Sequence, residues 1–395
     1  MKLVVFSHKV CWKSEHSPTN WATDGGFVFH MQALASAYDQ TVLLVPVSKN
    51  KRSKGEVWFT DPSIRIVPLT PPYGSGLMRK LLFPFWFLSH LPKFISETRK
   101  ADVVHAPVPG DIGTIGMILG PLFHKKTYVR YCGDSTLLKT PAEKFWLWYA
   151  RKYAGKRIAY LCTGGSDQLP VKNNPSVKWI FSSSMLQSEV EKYHRREFDF
   201  SKEFNIVMGG RLIKEKGFGQ LIDAVSLISD KIPNLKVALF GDGPDAQQFE
   251  QKVKSANLDS KIKFLGKLNA AEVHDVLNTA DIFCFPTYSS EGFPKVVIEA
   301  MAHGIPVIST AVSVIPNLIN ETGNEAGFII EKKSVEPLAE KILYYYNNPW
   351  LHKVHGDNAK SIAYKYTLEN WVDTIDEQLN SQWKTGIHRL RSIIK

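Results

Sequence analysis

Between residues 205 and 330 the chain alternates short apolar runs with amphipathic stretches, and nothing else in it constrains the fold as tightly. The apolar runs are 205–208, 236–240, 261–265, 282–285, 306–309 and 327–330, with helical patterns at 217–232, 245–256 and 270–279 between the earlier ones. Runs this apolar need cover on both faces, so the pattern predicts a parallel sheet with helices on either side. Ligands of such sheets lie beyond the carboxyl ends of the strands. The first half repeats the theme more loosely, with strands expected at 3–7, 41–47, 57–60, 64–69, 102–106, 126–132, 158–163 and 178–182, and a helix at 27–38. A chain of 395 residues exceeds one ordinary core, and two domains of about 200 residues are expected. The polar stretch 187–203 reads as the join between them, and 334–395 reads as helical throughout.

Charge divides the halves. Residues 1–200 hold 27 Lys and Arg against 15 Asp and Glu, a net of +12, whereas residues 201–395 hold 22 against 23, a net of −1. A surface this basic suits nucleic acid, anionic lipid or anionic glycan. Nowhere do 18 apolar residues run together, which excludes a spanning helix, and the apolar run at the amino terminus is too short for a signal peptide. Two segments mix aromatic and basic residues. In 77–100, Leu81 to Leu88 is an apolar run with Arg79, Lys80, Lys93, Arg99 and Lys100 around it. In 144–157, Phe145, Trp146, Trp148, Tyr149 and Tyr153 alternate with basic residues. One alternative for the first is a core helix broken at Pro84; the other is an in-plane element with Phe85, Trp86 and Phe87 at a membrane interface. The second segment favours the interface. Cys11, Cys132, Cys162 and Cys284 lack metal-ligand spacing, which fits free thiols in a reduced cytosol.

Within the second half, Glu291-Gly292-Phe293-Pro294-Lys295 runs into Val296-Val297-Ile298-Glu299-Ala300-Met301. Pro294 suits a first helical turn. At 3.6 residues per turn only Lys295 and Glu299 share a polar stripe on an otherwise apolar helix. Two readings stand: a partly solvated i,i+4 pair, or a ligand site where the helix start attracts an anion and Glu299 accepts from hydroxyls.

The ordered set Gly209-Gly210-Arg211-Leu212, Lys216-Gly217, Gly241-Asp242-Gly243-Pro244, Glu291-Gly292-Phe293-Pro294, Glu299-Ala300-Met301-Ala302 and Gly304-Ile305-Pro306-Val307-Ile308 resembles the signature of the retaining GT-B glycosyltransferases of family 4. The resemblance implies an α/β chain of two Rossmann-like β/α/β domains facing a central cleft: an acceptor-binding domain at 1–190, a nucleotide-sugar-binding domain at 204–365, and a C-terminal helix at 366–395 packing back on the first domain. It implies that Arg211, Lys216 and Glu291 act at the reacting sugar diphosphate. The donor would be bound by Gly25, Gly26, Gly210, Gly266, Leu268, Gly292, Phe293, Pro294, Lys295 and Glu299, the last on the ribose. Many relatives place a histidine where this chain has Cys132, so Arg130, Cys132 and Asp134 stand as acceptor-side candidates. Retention in this family proceeds without an agreed enzymic nucleophile, by same-face attack assisted by the leaving phosphate.

The expected activity is transfer of a sugar from a UDP- or GDP-sugar to a hydroxyl of a glycan or lipid-linked acceptor, in cell-surface polysaccharide or glycolipid synthesis. The nucleotide sugar is a co-substrate and no cofactor is expected. No Asp-x-Asp occurs in the chain, consistent with metal-independent transfer. The expected place is the cytoplasm, peripheral on the inner face of an anionic membrane, with no nucleic acid as partner. A catalytically degenerate scaffold or glycan-binding module is the alternative, motivated by Cys132.

Overall fold

The structure, a computed structural model, describes residues 1–49, 56–74, 76–133, 138, 140–164, 168–195, 197–289, 292–321 and 323–383. It divides into two compact units. Unit 1 comprises Met1–Gly164, Gln168–Ser184 and the segment from Leu368 onward; Met185–Thr367 builds unit 2.

Unit 1 is built on seven strands: β1 (Lys2–Phe6), β2 (Gln40–Pro46), β3 (Ile64–Leu69), β4 (Val103–Val108), β5 (Lys126–Tyr131), β6 (Ile158–Cys162) and β7 (Val177–Trp179). Their order is β3-β2-β1-β4-β5-β6-β7 and every neighbouring pair is parallel. Helices α1 (Phe27–Ala35), α2 (Gly76–Lys100), α3 (Asp111–Leu122) and α4 (Pro141–Tyr153) connect them. The winding reverses between β1 and β4, and right-handed crossovers then put α1 on one face and α2 to α4 on the other. Packing agrees. Val4, Phe6, Val42, Leu44 and Val104 meet Trp86 and Phe94 of α2 and Ile112, Ile115 and Leu119 of α3. Ala106, Val108, Val129 and Tyr160 meet Met117 of α3 and Trp146 and Tyr149 of α4. The last helix, Leu368–Trp383, lays Trp371 edge-on to His30 of α1 with ring centroids 4.9 Å apart.

Unit 2 repeats the plan with six strands: β8 (Phe204–Gly209), β9 (Leu235–Phe240), β10 (Ile262–Gly266), β11 (Ile282–Phe285), β12 (Val307–Thr310) and β13 (Gly327–Ile330). The order β10-β9-β8-β11-β12-β13 is again parallel throughout and reverses between β8 and β11. Helices α5 (Phe218–Ile228), α6 (Ala246–Ser255), α7 (Ala270–Leu277), α8 (Lys295–Ala302), α9 (Glu336–Asn347) and α10 (Pro349–Tyr364) complete it. The apolar stripe Phe218, Leu221, Ile222 and Val225 of α5 packs on Ile206, Met208, Val237 and Leu239 of the sheet.

Four expectations change. The run 57–60 contributes Glu56–Trp58 to a small antiparallel sheet with Trp12–Lys13 and Trp21–Asp24, apart from the main one. Residues 187–203 fold with unit 2: Val190 and Phe200 are buried between charged neighbours that masked them in the sequence. Helix α2 runs through Pro84 and Pro92 unbroken, since both prolines lie on its exposed side. Finally, Trp86 is no interface residue. It is fully buried, its indole donates to the Thr70 carbonyl at 2.8 Å, and Trp86→Ala would cost about 3–5 kcal/mol. Phe87 stacks on Phe94 inside the same cluster; of the three aromatic residues only Phe85 faces out.

Candidate functional site

The carboxyl ends of β8 and β11, where the winding of unit 2 reverses, form the crevice in which sheets of this kind take ligands. Three glycines let backbones close on one another there. A Cβ on Gly241 would lie 1.8 Å from the Gly210 carbonyl oxygen, and one on Gly243 would lie 2.3 Å from that of Leu212. Gly217, in the left-handed region at φ 89°, would strike the Pro286 carbonyl oxygen at 2.3 Å. Those contacts explain the glycines of Lys216-Gly217 and Gly241-Asp242-Gly243.

Lys216 closes a short 3₁₀ turn, Lys214–Lys216, beyond β8. Two bonds fasten that turn to the segment after β11: the Thr287 hydroxyl and the Tyr288 N–H both donate to the Glu215 carbonyl, at 3.1 and 2.9 Å. Thr287 is in turn held by the Thr310 hydroxyl, and Ser309 Oγ donates to the Phe285 carbonyl at 2.6 Å. The Lys216 ammonium sits 5.5 Å from the Phe285 ring centroid. Arg211 is exposed on the same loop, whose Leu212 N–H donates to the Asp242 carbonyl at 3.0 Å. Two cations therefore stand on a rigidly pinned loop at the reversal point. Gly266 ends β10 at φ 69° and Leu268 follows it, half-buried.

Helix α8 supplies the third element. It begins at Lys295, one residue later than expected, with Pro294 as its N-cap. Val297, Ile298, Ala300 and Met301 are fully buried while Lys295 and Glu299 stay part-exposed, so the polar stripe is real. Burial raises the Glu299 carboxyl above its ordinary pKa and the Lys295 charge opposes that. Gly292 is exposed, and Phe293 packs on Tyr366 with centroids 5.3 Å apart. Glu291 lies outside the described residues.

The sequence reading missed an aromatic stack whose Tyr193 feels the charge of Glu299. Tyr193 stacks on His303 at 4.1 Å and on His274 at 4.6 Å. His303 Nδ1 donates to Asn278 Oδ1 at 2.8 Å, leaving Nε2 to accept from His274 Nδ1 at 3.0 Å. His303 is thus neutral, and burial with its two neighbours His274 and Lys360 lowers its pKa to about 3; burial lowers that of His274 as well. Glu189 and Glu299 both act on the Tyr193 hydroxyl, after burial, to raise its pKa. Only the position of His303, directly after Glu-Ala-Met-Ala, hinted at this stack. A cavity of about 870 Å³ also lies in unit 2, lined by His194, Arg195, Lys353, Asp357, Lys360 and Tyr364 among others. No candidate residue reaches it, and Arg195 bridges Asp357 and the Lys353 carbonyl there at 3.2 and 3.0 Å.

The remaining candidates belong to unit 1. Gly25, at φ 67°, and Gly26, the N-cap of α1, precede that helix, and Asp24 pairs with Lys9. Arg130 is half-buried near the end of β5 with its guanidinium 6.0 Å from the Trp371 ring. Its Nε is buried without a hydrogen bond among the described residues. Cys132 is exposed and Asp134 lies outside the described residues. At the reversal point of this sheet, between β1 and β4, stands His8, which the sequence reading passed over. Its ring lies against Gly110, where a Cβ would come within 2.6 Å of Nδ1. Burial first, then the Lys9 charge, lowers its pKa. His105 is a core histidine, fully buried and 2.9 Å from the Tyr128 hydroxyl.

Residues 189–362 match the family of glycosyl transferases, group 1. A capsular polysaccharide biosynthesis glycosyltransferase of Staphylococcus aureus, CapM, is 32% identical over 199 residues, covering 49% of this chain and 49% of that protein. An uncharacterized glycosyltransferase of Methanocaldococcus jannaschii is 27% identical over 282 residues, covering 71% and 75%. For most of the curated relatives it matches first, the aligned stretch spans about half their length. Among solved structures, Anabaena HepE in complex with UDP superposes with a TM-score of 0.66 at 17% identity, over 96% of this chain and 100% of that one. The fold, two Rossmann-like units, is that of the GT-B glycosyltransferases.

Proposed function

We propose that the protein is a retaining, metal-independent glycosyltransferase, hexosyltransferase-like. It moves a sugar from a UDP- or GDP-sugar to a hydroxyl of a glycan or lipid-linked acceptor in cell-surface polysaccharide or glycolipid synthesis, at the inner face of a membrane. The observation that carries this reading is the crevice of unit 2, where Arg211 and Lys216 stand on one pinned loop and the Lys295–Glu299 stripe on a buried helix. In this reading the two cations bind the diphosphate and stabilise the charge that grows on it as the glycosidic bond breaks, an electrostatic role that replaces a metal. Glu299 accepts hydrogen bonds from the ribose hydroxyls, with Tyr193 near enough to feel its charge. Gly292, Phe293 and Glu291 bind the transferred hexose. Support comes from the family match over 189–362 and from the Anabaena structure, which holds UDP.

The test is thermal stabilisation by a panel of UDP- and GDP-sugars, followed by transfer with the one that binds. A donor at a hundred times its Kd stabilises the folded state by about 2.7 kcal/mol. If no nucleotide sugar raises the melting temperature, the donor reading fails. A product anomer inverted by NMR would remove retention alone.

A further inference from the structure

Helices α2, α3 and α4 form one layer on one face of the unit 1 sheet, and their outer surface exposes a run of large apolar side chains. Leu77, Met78, Leu81, Phe85 and Leu88 of α2 are each between 57% and 73% exposed. At 3.6 residues per turn they fall within about 100° of one another, opposite the buried Trp86, His90, Phe94 and Glu97. The helix is therefore apolar on two sides over its first half, and the outward one runs from Leu77 to Leu88, about 18 Å along the axis. Beside it, α3 exposes Ile118 and Leu122, and α4 exposes Trp148 and Tyr153. The three helices are locked side by side: Arg79 pairs with Asp111 at 2.6 Å, and the Trp146 indole donates to Thr114 Oγ1 at 2.9 Å.

Charge decides what covers this surface. The three helices carry Arg79, Lys80, Lys93, Arg99, Lys100, Lys144, Arg151 and Lys152, against only Glu97, Asp111 and Glu143. All three acids are engaged within the fold. Glu97 binds Lys2 and Arg65, Asp111 binds Arg79, and Glu143 closes the capping box of α4 with Thr140. Lys152 lies 5.2 Å from the Trp148 ring and 5.5 Å from that of Tyr153, an aromatic and basic edge suited to headgroups. No helix among the described residues is long and apolar enough to cross a membrane.

We infer that the outer surface of the α2–α3–α4 layer seats on an anionic bilayer, with α2 lying in the plane of the headgroups and the Met78-Leu81-Phe85-Leu88 stripe dipping below them. This deepens the proposed function, because it makes the acceptor a membrane-anchored molecule. The amino end of α2, through the Arg79–Asp111 pair, meets the start of α3 beside Gly110 and His8, so the lipid face runs up to the strand ends of unit 1. An acceptor with a lipid tail in the bilayer and its hydroxyl above the headgroups reaches those strand ends without leaving the membrane. Docking itself is tested without any activity, so its failure is separate from a failure of the transferase reading.

The experiment is flotation of the full chain with vesicles of phosphatidylcholine alone and with rising fractions of phosphatidylglycerol, at low and high salt. Intact protein floats with the anionic vesicles and keeps part of its binding in high salt. Leu81→Ser/Phe85→Ser removes exposed side chains only, so its melting temperature stays put while the partition coefficient falls about tenfold or more. Lys80→Glu/Lys152→Glu lowers low-salt binding at least about fivefold and flattens the salt dependence. Intact protein left in the supernatant at every composition overturns the inference, as does binding that neither variant changes. A dimer in light scattering that Leu81→Ser/Phe85→Ser splits would make this face a contact between copies and overturn it too.

Discussion

Units 1 and 2 share a strand order, since each reads 3-2-1-4-5-6 when its strands are numbered from its own first, with one strand added in unit 1. They share little else. At the strand ends of unit 2, glycines let loops meet at contact distance, and exposed Arg211 and half-buried Lys216 stand on a loop fastened to a segment that buried Thr287, Ser309 and Thr310 hold. Unit 1 instead exposes apolar side chains on a layer of helices that also carries a net charge of +5. Its strand ends carry a looser set: His8, Arg130 and the Lys9–Asp24 pair. One scaffold thus carries cations on a hydrogen-bonded loop in one copy and an exposed apolar helix layer in the other. The lesson is that side chains beyond the strands, rather than strand order, decide what a Rossmann-like unit does.

The sharpest way to break this contrast is at Arg211 and Lys216. Either changed to Ala should lower kcat about a hundredfold or more, with a smaller change in donor affinity. Steady-state kinetics separate the two, and a rise in KM at constant kcat would demote both to simple binders.

Glu299→Gln comes next, and it should cut in two directions. Binding of the nucleotide sugar should weaken by about tenfold, the cost of one hydrogen bond to a charged acceptor. Stability of the free protein should rise. Burial holds the Glu299 pKa above its ordinary value, so the folded state binds a proton more readily than the unfolded state. Ionisation above that window therefore costs stability, which Gln does not suffer. Titration calorimetry and melting curves at neutral pH measure both halves. A less stable variant would mean that the carboxylate is structurally required.

Smaller still is the pH response of the stack around His303. His303 titrates at about 3 in the folded state and near 6.5 when unfolded. As pH falls between those values the unfolded chain takes up a proton that the folded one refuses, so stability is lost at up to about 1.4 kcal/mol per pH unit. Denaturant midpoints from pH 7 downward should show the slope, and His303→Asn should flatten it. Parallel curves for the two proteins would place the acid sensitivity elsewhere. The least effect is expected in unit 1: Cys132→Ser, at an exposed strand end, should change stability by less than about 0.5 kcal/mol. Any role on the acceptor side would appear in the acceptor KM alone.

What could be read from the sequence follows the same division. The strands of unit 2 were legible because they are apolar on both faces, and its loop motifs in part because Gly209, Gly217, Gly241 and Gly243 are forced by contacts under 2.5 Å. Lys295 and Glu299 were legible as the polar stripe of a buried helix. Unit 1 was harder. Its α2 is apolar on two opposite sides, so the sequence signalled both a core helix and an interfacial one; the structure buries one side in the core and leaves the other exposed. Trp86 and Phe85 are adjacent and equally apolar, yet 100° of rotation sends one into the core and the other into solvent. The Tyr193–His303–His274 stack was illegible because it joins residues from three separate stretches, and no local period marks such a contact. His8 was passed over for a similar reason: its neighbours at the end of β1 come from β4 and β5.

One feature of unit 1 bears on how the chain is made. Its sheet is complete at Trp179, but the helix that lays Trp371 against His30 and reaches Pro175 through Gln378 comes from residues 368–383. All of unit 2 lies between. During synthesis the first unit must therefore wait, with the His30 face uncovered, until about two hundred further residues have left the ribosome, some 10–40 seconds at ordinary elongation rates. Unit 2 has no such delay, since its residues are nearly contiguous. The protein that begins first is the one that finishes last, and that exposed interval is where a chaperone, or an aggregate, would find it.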